Sequence, residues 1–225
     1  MSNNVIIFGA GKIAEVVYYY FKYESNLNIV AFTCDKEYIT QPEINGIPVV
    51  SFDEVEKKFP AASNSMFIAV GYQDMNALRA RKLAEAKKKG YKIISYVNPN
   101  SGLPKDTQYG ENCLILNNVC VQPKVIIGDN VFIWSGALIG HHTTIGSHCW
   151  ITSSANISGS VKVGNNCFFA VNSTVANEIN IGNGCFLGAN VLVSKNMNDN
   201  EVVIVPTTPV CRLNSQQFLA ISKLK

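Results

Sequence analysis

The chain of 225 residues contains three histidines, His141, His142 and His148, and all of them lie in its second half. Imidazole changes charge close to neutral pH, which suits it to take a proton from an attacking nucleophile. Few other groups nearby could do that work. Between residues 109 and 198 the acids are Glu111, Asp129 and Glu178. Three converging histidines could instead hold a zinc ion and hydrate a substrate. The spacing of these three puts them on two different sides of the repeat described below, so no metal site is expected. A second chemistry lies near the N-terminus, where Gly9-Ala10-Gly11-Lys12-Ile13-Ala14 follows the apolar run Asn4–Phe8. A strand, a glycine turn and then a helix let backbone N–H groups and the helix dipole face a phosphate. Asp35, about 24 residues beyond Gly11, stands where such a fold reads a ribose.

The elements that must carry these residues are of two kinds. From Tyr109 to Asn198 the chain divides into fifteen consecutive six-residue blocks: YGENCL, ILNNVC, VQPKVI, IGDNVF, IWSGAL, IGHHTT, IGSHCW, ITSSAN, ISGSVK, VGNNCF, FAVNST, VANEIN, IGNGCF, LGANVL and VSKNMN. Thirteen of the fifteen begin with Ile, Val or Leu, so the period is that of a solenoid of short parallel strands. Every third block is alike, which gives three sides per coil and five coils of eighteen residues. Asn112, Asn130, His148, Asn166 and Gly184 form one column, where a corner needs positive φ. His148 therefore reads as a corner residue and His142 as its counterpart on another side. His141 stands at a side position. Cys113, Cys149, Cys167 and Cys185 share one inward column and read as small core residues.

The first hundred residues alternate strand and helix: Asn4–Phe8, a helix over 15–23, Asn28–Thr33, Ser65–Val70, a helix over 76–89, and a strand over 92–96. That pattern predicts a small parallel α/β sheet. With only about 100 residues, half of a full dinucleotide fold, it reads as a mononucleotide or sugar-nucleotide site formed by Gly9, Gly11, Lys12, Asp35, Gly71 and Asn76. Arg79 either adds charge to that site or solvates its helix. This half has no histidine and no paired nucleophile and base, which places catalysis in the solenoid. Asn98–Pro104 is the linker, so the expected units are residues 1–98, 99–198 and a tail, 199–225. Two prolines are expected to stop any further coil there, ahead of a short helix from Ser215.

The motifs IFGAGK, IAVGYQDMN, NPNSG and IGHHTTIG, in that order, resemble the bacterial sugar O-/N-acyltransferases of the sialic-acid O-acetyltransferase and bacillosamine N-acetyltransferase type. The resemblance runs over nearly the whole chain. It implies an α/β Rossmann-like domain fused to a left-handed parallel β-helix, assembled as a homotrimer. It also implies acetyl-CoA as co-substrate and no metal. The implied reaction is N-acetylation of a nucleotide-linked amino, dideoxy, sugar for surface polysaccharide such as lipopolysaccharide O-antigen. O-acetylation, or transfer of another acyl group, is the alternative. His141 is the implied general base. The resemblance usually puts an acid beside that histidine, and here His142 stands there. It places the Gly159 N–H at the thioester carbonyl, and Trp150, Gly159, Ala170 and Ala189 against acetyl-CoA. Trp150 then either stacks on a ligand ring or lines a subunit interface.

Net charge is +3 with 16% charged residues, too mild to suggest nucleic acid. No apolar stretch approaches the roughly 20 residues that span a bilayer, and the N-terminus has no cationic leader. Seven cysteines, an odd number, suggest reduced thiols and a cytoplasmic protein.

Overall fold

The computed structural model describes residues 3–222. Its N-terminal unit holds strands β1 (Asn4–Phe8), β2 (Asn28–Cys34), β3 (Glu43–Ile44), β4 (Ile47–Ser51), β5 (Ser65–Ile68) and β6 (Lys92–Ile93), in the order β3-β4-β2-β1-β5-β6. All pairs are parallel except β3 with β4, a hairpin that the sequence reading did not anticipate. Helices α1 (Lys12–Tyr23), α2 (Val55–Lys58) and α3 (Ala77–Lys88) complete the unit. The chain runs outward from β1 in both directions, to β2 and β4 on one side and to β5 and β6 on the other. The rim beyond β1 and β5 is thus the switch point where such sheets hold ligands.

The expected strand over 92–96 is two elements. Lys92–Ile93 closes the first sheet, whereas β7 (Tyr96–Val97) pairs with Leu114–Ile115 and opens the solenoid. The solenoid has three faces. Face A stacks β7 with 114–115, 132–133, 150–151, 168–169, 186–187 and 202–203. Face B stacks 120–121, 138–139, 156–157, 174–175 and 192–193. Face C stacks 108–109, 126–127, 144–145, 162–163 and 180–181. Partners such as Ile133 and Ile151 sit eighteen residues apart, the predicted register. Val202–Val203 corrects the expectation that the prolines end the solenoid at once, because they begin only after that strand. Helix α4 (Ser215–Ser222) follows, capped by reciprocal bonds between Asn214 and Gln217.

First and fifth block positions point inward. From Ile115 to Val193 every first position is buried, and so are the Cys113, Cys149, Cys167 and Cys185 thiols. Each of these thiols lies within 3.0–3.2 Å of a carbonyl oxygen in the following coil, from Gly128, Gly164, Gly182 and Asn198. Burial pushes the Cys113 thiol up to about 11, as a core sulfur requires. Every fourth position from Asn112 to Asn190 turns the corner with positive φ, His142 at 58° and His148 at 63° among them.

The sixth positions of one side are Leu114, Phe132, Trp150, Phe168 and Phe186, all large and apolar. They point outward from face A, and the α/β unit lies on them. Phe67 stacks on Phe132 with 5.7 Å between centroids, and Tyr72 packs on Trp150 and Phe168. Four of the five are buried, each contributing about 2 kcal/mol by the area it removes from water. One core cluster therefore spans both units.

Candidate functional site

His141 sits where face B turns into face C, the corner opposite face A. Its backbone N–H donates to Gln122 Oε1 at 2.9 Å, and its carbonyl accepts from the Ser160 N–H at 2.7 Å. In the corner between faces C and A the third-position side chain of each coil accepts the N–H of the coil before, as Asp129 does from Glu111 and Asn165 from Ser147. In the His141 column the following coil offers Gly159, which has no side chain, and Gln122 of the preceding coil takes over.

The bare backbone at Gly159 leaves room for the imidazole. A Cβ added there would lie 2.7 Å from Cε1 and 2.8 Å from Nε2 of His141, so only glycine lets the ring lie in this place. The ring is exposed, and its Nδ1 is 3.1 Å from Nδ1 of His142. A hydrogen bond on that line carries one proton. When His141 Nδ1–H donates, His141 Nε2 keeps its lone pair and His142 Nδ1 is the acceptor. His142 thus stands where the family resemblance would put a carboxylate.

The Gly159 N–H is not open to a ligand. It donates to Asn177 Oδ1, one coil on, at 3.0 Å. This corrects its expected role as a free donor: the third-position ladder resumes at Asn177 and occupies it.

Trp150 is 2% exposed beneath the α/β unit, against Phe132 and Trp134 and 5.1 Å from the Arg79 guanidinium. Neither ligand stacking nor a subunit interface fits that position, because the N-terminal unit of the same chain covers it. Ala170 and Ala189 are half-buried at the turn from face A to face B, across face B from His141. Face B itself carries the uncharged Cys120, Leu138, Asn156, Thr174 and Leu192 at its outward positions.

At the sheet rim the predicted residues divide. Gly11 is exposed, with nothing within 4 Å of an added Cβ, and Lys12 beside it is exposed too. Gly9 is a packing glycine, since a Cβ there would lie 2.6 Å from the Ala69 carbonyl oxygen at φ +134°. Asp35 is half-buried and pairs with Lys82 Nζ at 2.8 Å, which also holds Glu85. Burial lowers the Lys82 ammonium, but bonding to the two carboxylates outweighs it and leaves the group raised. Asp35 therefore turns one oxygen to its own chain.

Asn76 and Gly71 are buried. Asn76 is the last of three consecutive left-handed residues, Asp74, Met75 and Asn76, a turn costing roughly 1–2 kcal/mol per residue. The solenoid fixes that turn through Asn166 Nδ2 to the Met75 carbonyl and Asn76 Nδ2 to the Cys167 carbonyl. Asn76 is thus a structural residue, spent before any ligand arrives.

Arg79 fits neither of its expected roles. It is fully buried and donates to Asn130 Oδ1, the Gly71 carbonyl, Asn76 Oδ1 and the Asn130 and Cys149 carbonyls, with Phe132 4.5 Å below its guanidinium. Burial pushes it down to about 9, so it is still a cation at neutral pH. The corner column reads the same way. Asn112 brackets the Ile68 backbone, and Asn130 Nδ2 meets His148 Nδ1 at 2.9 Å. Because Asn130 Oδ1 already accepts from Arg79 and Asn112, its amide must donate, and His148 Nδ1 must accept. These corner residues stitch the two units together. The signal was present in the sequence as repeated asparagine where glycine would also turn the corner.

Among the described residues no three His, Cys, Asp or Glu side chains gather to hold a metal, and no helix is long and apolar enough to cross a membrane. Residues 106–141 match the family described as bacterial transferase hexapeptide (six repeats). Residues 160–195 match the hexapeptide repeat of succinyl-transferase, and residues 1–59 match the C2185-like N-terminal family. No curated protein sequence matches. PerB from Caulobacter crescentus, solved with CoA and GDP-perosamine, superposes with a TM-score of 0.79 at 24% identity, over 88% of this chain and 92% of that one. The acetyltransferase domain of PglB from Neisseria gonorrhoeae, solved with acetyl coenzyme A, gives 0.82 at 19%, over 93% and 100%. WeeI from Acinetobacter baumannii gives 0.59 at 18%, over 89% and 96%. By its repeats and by these superpositions, the chain has the fold expected from its resemblance to bacterial sugar acyltransferases: a Rossmann-like α/β unit followed by a left-handed parallel β-helix of hexapeptide repeats.

Proposed function

We propose that this protein transfers an acetyl group from acetyl-CoA to the amino group of a nucleotide-linked sugar, with His141 as general base. The observation that carries the reading is the His141 ring lying exposed over Gly159 with its Nδ1 3.1 Å from His142 Nδ1, a contact that leaves Nε2 as the proton acceptor when His141 is the donor. The attacking amine must shed a proton as its C–N bond forms, and an imidazole lone pair serves that step. The residues present suit the co-substrate. Face B is a narrow uncharged floor for a pantetheine arm, edged by Gly159 on one side and Ala170 and Ala189 on the other. The exposed turn at Gly11 and Lys12, at the N-terminus of α1, suits the phosphates of a sugar nucleotide.

The places of these parts support a shared site. The α/β unit covers face A, and His141 is at the corner opposite. A sugar nucleotide on the rim of one chain meets the histidine of another, which favours a homotrimer with sites between neighbouring solenoids. The CoA and GDP-perosamine named with PerB, and the acetyl coenzyme A named with PglB, support the choice of co-substrate and acceptor class.

The test is incubation with acetyl-CoA and a panel of nucleotide-linked sugars with free amino or only hydroxyl groups. The expected product is an N-acetyl sugar nucleotide, detected by mass and by release of one thiol per turnover. Acetylation of hydroxyl-only sugars instead would replace the amine reading with the hydroxyl one, and no transfer to any acceptor would defeat both.

A further inference from the structure

Resting on that reading, we infer that the carboxamide of Asn177 is a catalytic residue, donating to the thioester carbonyl in place of the Gly159 N–H. A tetrahedral oxyanion beside His141 needs a donor already aimed at it. The backbone N–H groups around the ring are taken. His141 donates to Gln122, His142 to Pro123, Gly140 to Ile157, Ser160 to His141, Val161 to Thr143 and Gly159 to Asn177. Asn177 Oδ1 accepts from a backbone N–H, which fixes the amide orientation and leaves its NH₂ limb directed away from that bond. No acceptor among the described residues takes those two hydrogens, and the side chain is exposed. Gln122 also has a carboxamide held by its oxygen, but it lies in the coil before His141. The imidazole leans the other way, over Gly159, toward Asn177.

The step balances as an ordinary acyl transfer. The sugar nitrogen forms the C–N bond to the carbonyl carbon while His141 Nε2 takes its proton. The carbonyl π pair moves to oxygen, where the Asn177 N–H groups hold it. The pair returns, the C–S bond breaks, and the sulfur leaves with its electrons and receives the proton from His141.

The experiment compares binding of acetyl-CoA with that of S-ethyl-CoA, which lacks the carbonyl, by calorimetry on wild type, Asn177→Ala, Asn177→Asp and Gln122→Ala. Turnover is measured alongside, and thermal midpoints check that each variant is folded. Wild type is expected to prefer acetyl-CoA, Gln122→Ala to keep that preference, and both Asn177 variants to lose it. Asn177→Asp keeps the acceptor for Gly159 but exchanges the donor for a negative charge, and its kcat is expected to fall about 10²–10³-fold. Full preference and undiminished kcat in Asn177→Ala would restore Gly159 as the donor and overturn the inference. Loss of preference in Gln122→Ala alone, or a wild type without preference, would overturn it too. A wild type that binds neither compound would bring down the acyltransferase reading itself.

Discussion

At His141 and His142 the chemistry depends on which ring carries the shared proton. The base form needs His141 Nδ1–H donating to His142, because the opposite arrangement puts a hydrogen on Nε2 and makes it a donor. His141→Asn is therefore expected to lower kcat by about 10²–10⁴-fold, with acetyl-CoA affinity nearly unchanged. His142→Phe removes the acceptor but leaves the base, so its loss is expected to be smaller, on the order of 10-fold. A His142 variant more damaged than the His141 variant would reverse the assignment. Gly11 offers a separate test at the other site. Its Cβ direction is open, so Gly11→Val puts bulk into the space proposed for the phosphates and not into the core. The expected result is a strongly raised KM for the sugar nucleotide with acetyl-CoA binding retained, as calorimetry would show. Loss of CoA binding with the sugar nucleotide still bound would mean that the two sites are reversed.

Among the elements, α3 and the corner between faces C and A depend on each other. Arg79→Met would leave Asn76 Oδ1 and the Gly71 and Asn130 carbonyls without this donor inside the seam, and would take one of two donors from Asn130 Oδ1 and from the Cys149 carbonyl. Unfolding free energy is expected to fall by about 3 kcal/mol or more, read from urea denaturation. Arg79→Lys is not expected to restore it, since one ammonium cannot reach the same set of acceptors. His148 makes that corner sensitive to acid. Burial and the Arg79 charge hold its imidazole below the ordinary 6.5, against the pull of Asp129. The unfolded chain then binds the proton more readily, so the contribution is complete above about pH 6.5 and fades as pH falls through the lower folded value. His148→Asn keeps a residue that accepts positive φ and is expected to flatten the stability–pH curve in that range; an unchanged curve would remove His148 from the account. The solenoid was legible in the sequence down to its register, because first, fourth and fifth positions obey local rules of core and corner. Arg79, Asn76 and Trp150 were not. Their roles depend on which surface the α/β unit covers, a long-range contact that no local period records. The column Leu114, Phe132, Trp150, Phe168, Phe186 was the available sign of that cover.

The whole molecule tests the shared site. Light scattering is expected to give about three times the chain mass of 24.6 kDa. Co-expressed His141→Asn and Gly11→Val chains are expected to recover part of the activity that each lacks alone, because one chain supplies an intact histidine and its neighbour an intact turn. A monomer fully active on dilution, or no complementation, would confine the site to one chain. The aromatic seam also has a consequence for selectivity. Phe67 on Phe132, Tyr72 on Trp150 and Phe168, and Arg79 between the units join the two units through one packed seam. On the proposed shared site, the span from the turn at Gly11 to a neighbouring chain's His141 is set by this seam together with the packing of chains, and works as a caliper. The expected result on the proposed reading is acetylation of a sugar nucleotide whose amine stands one fixed length from its phosphates, and slow or no turnover of a longer or shorter one in the same assay.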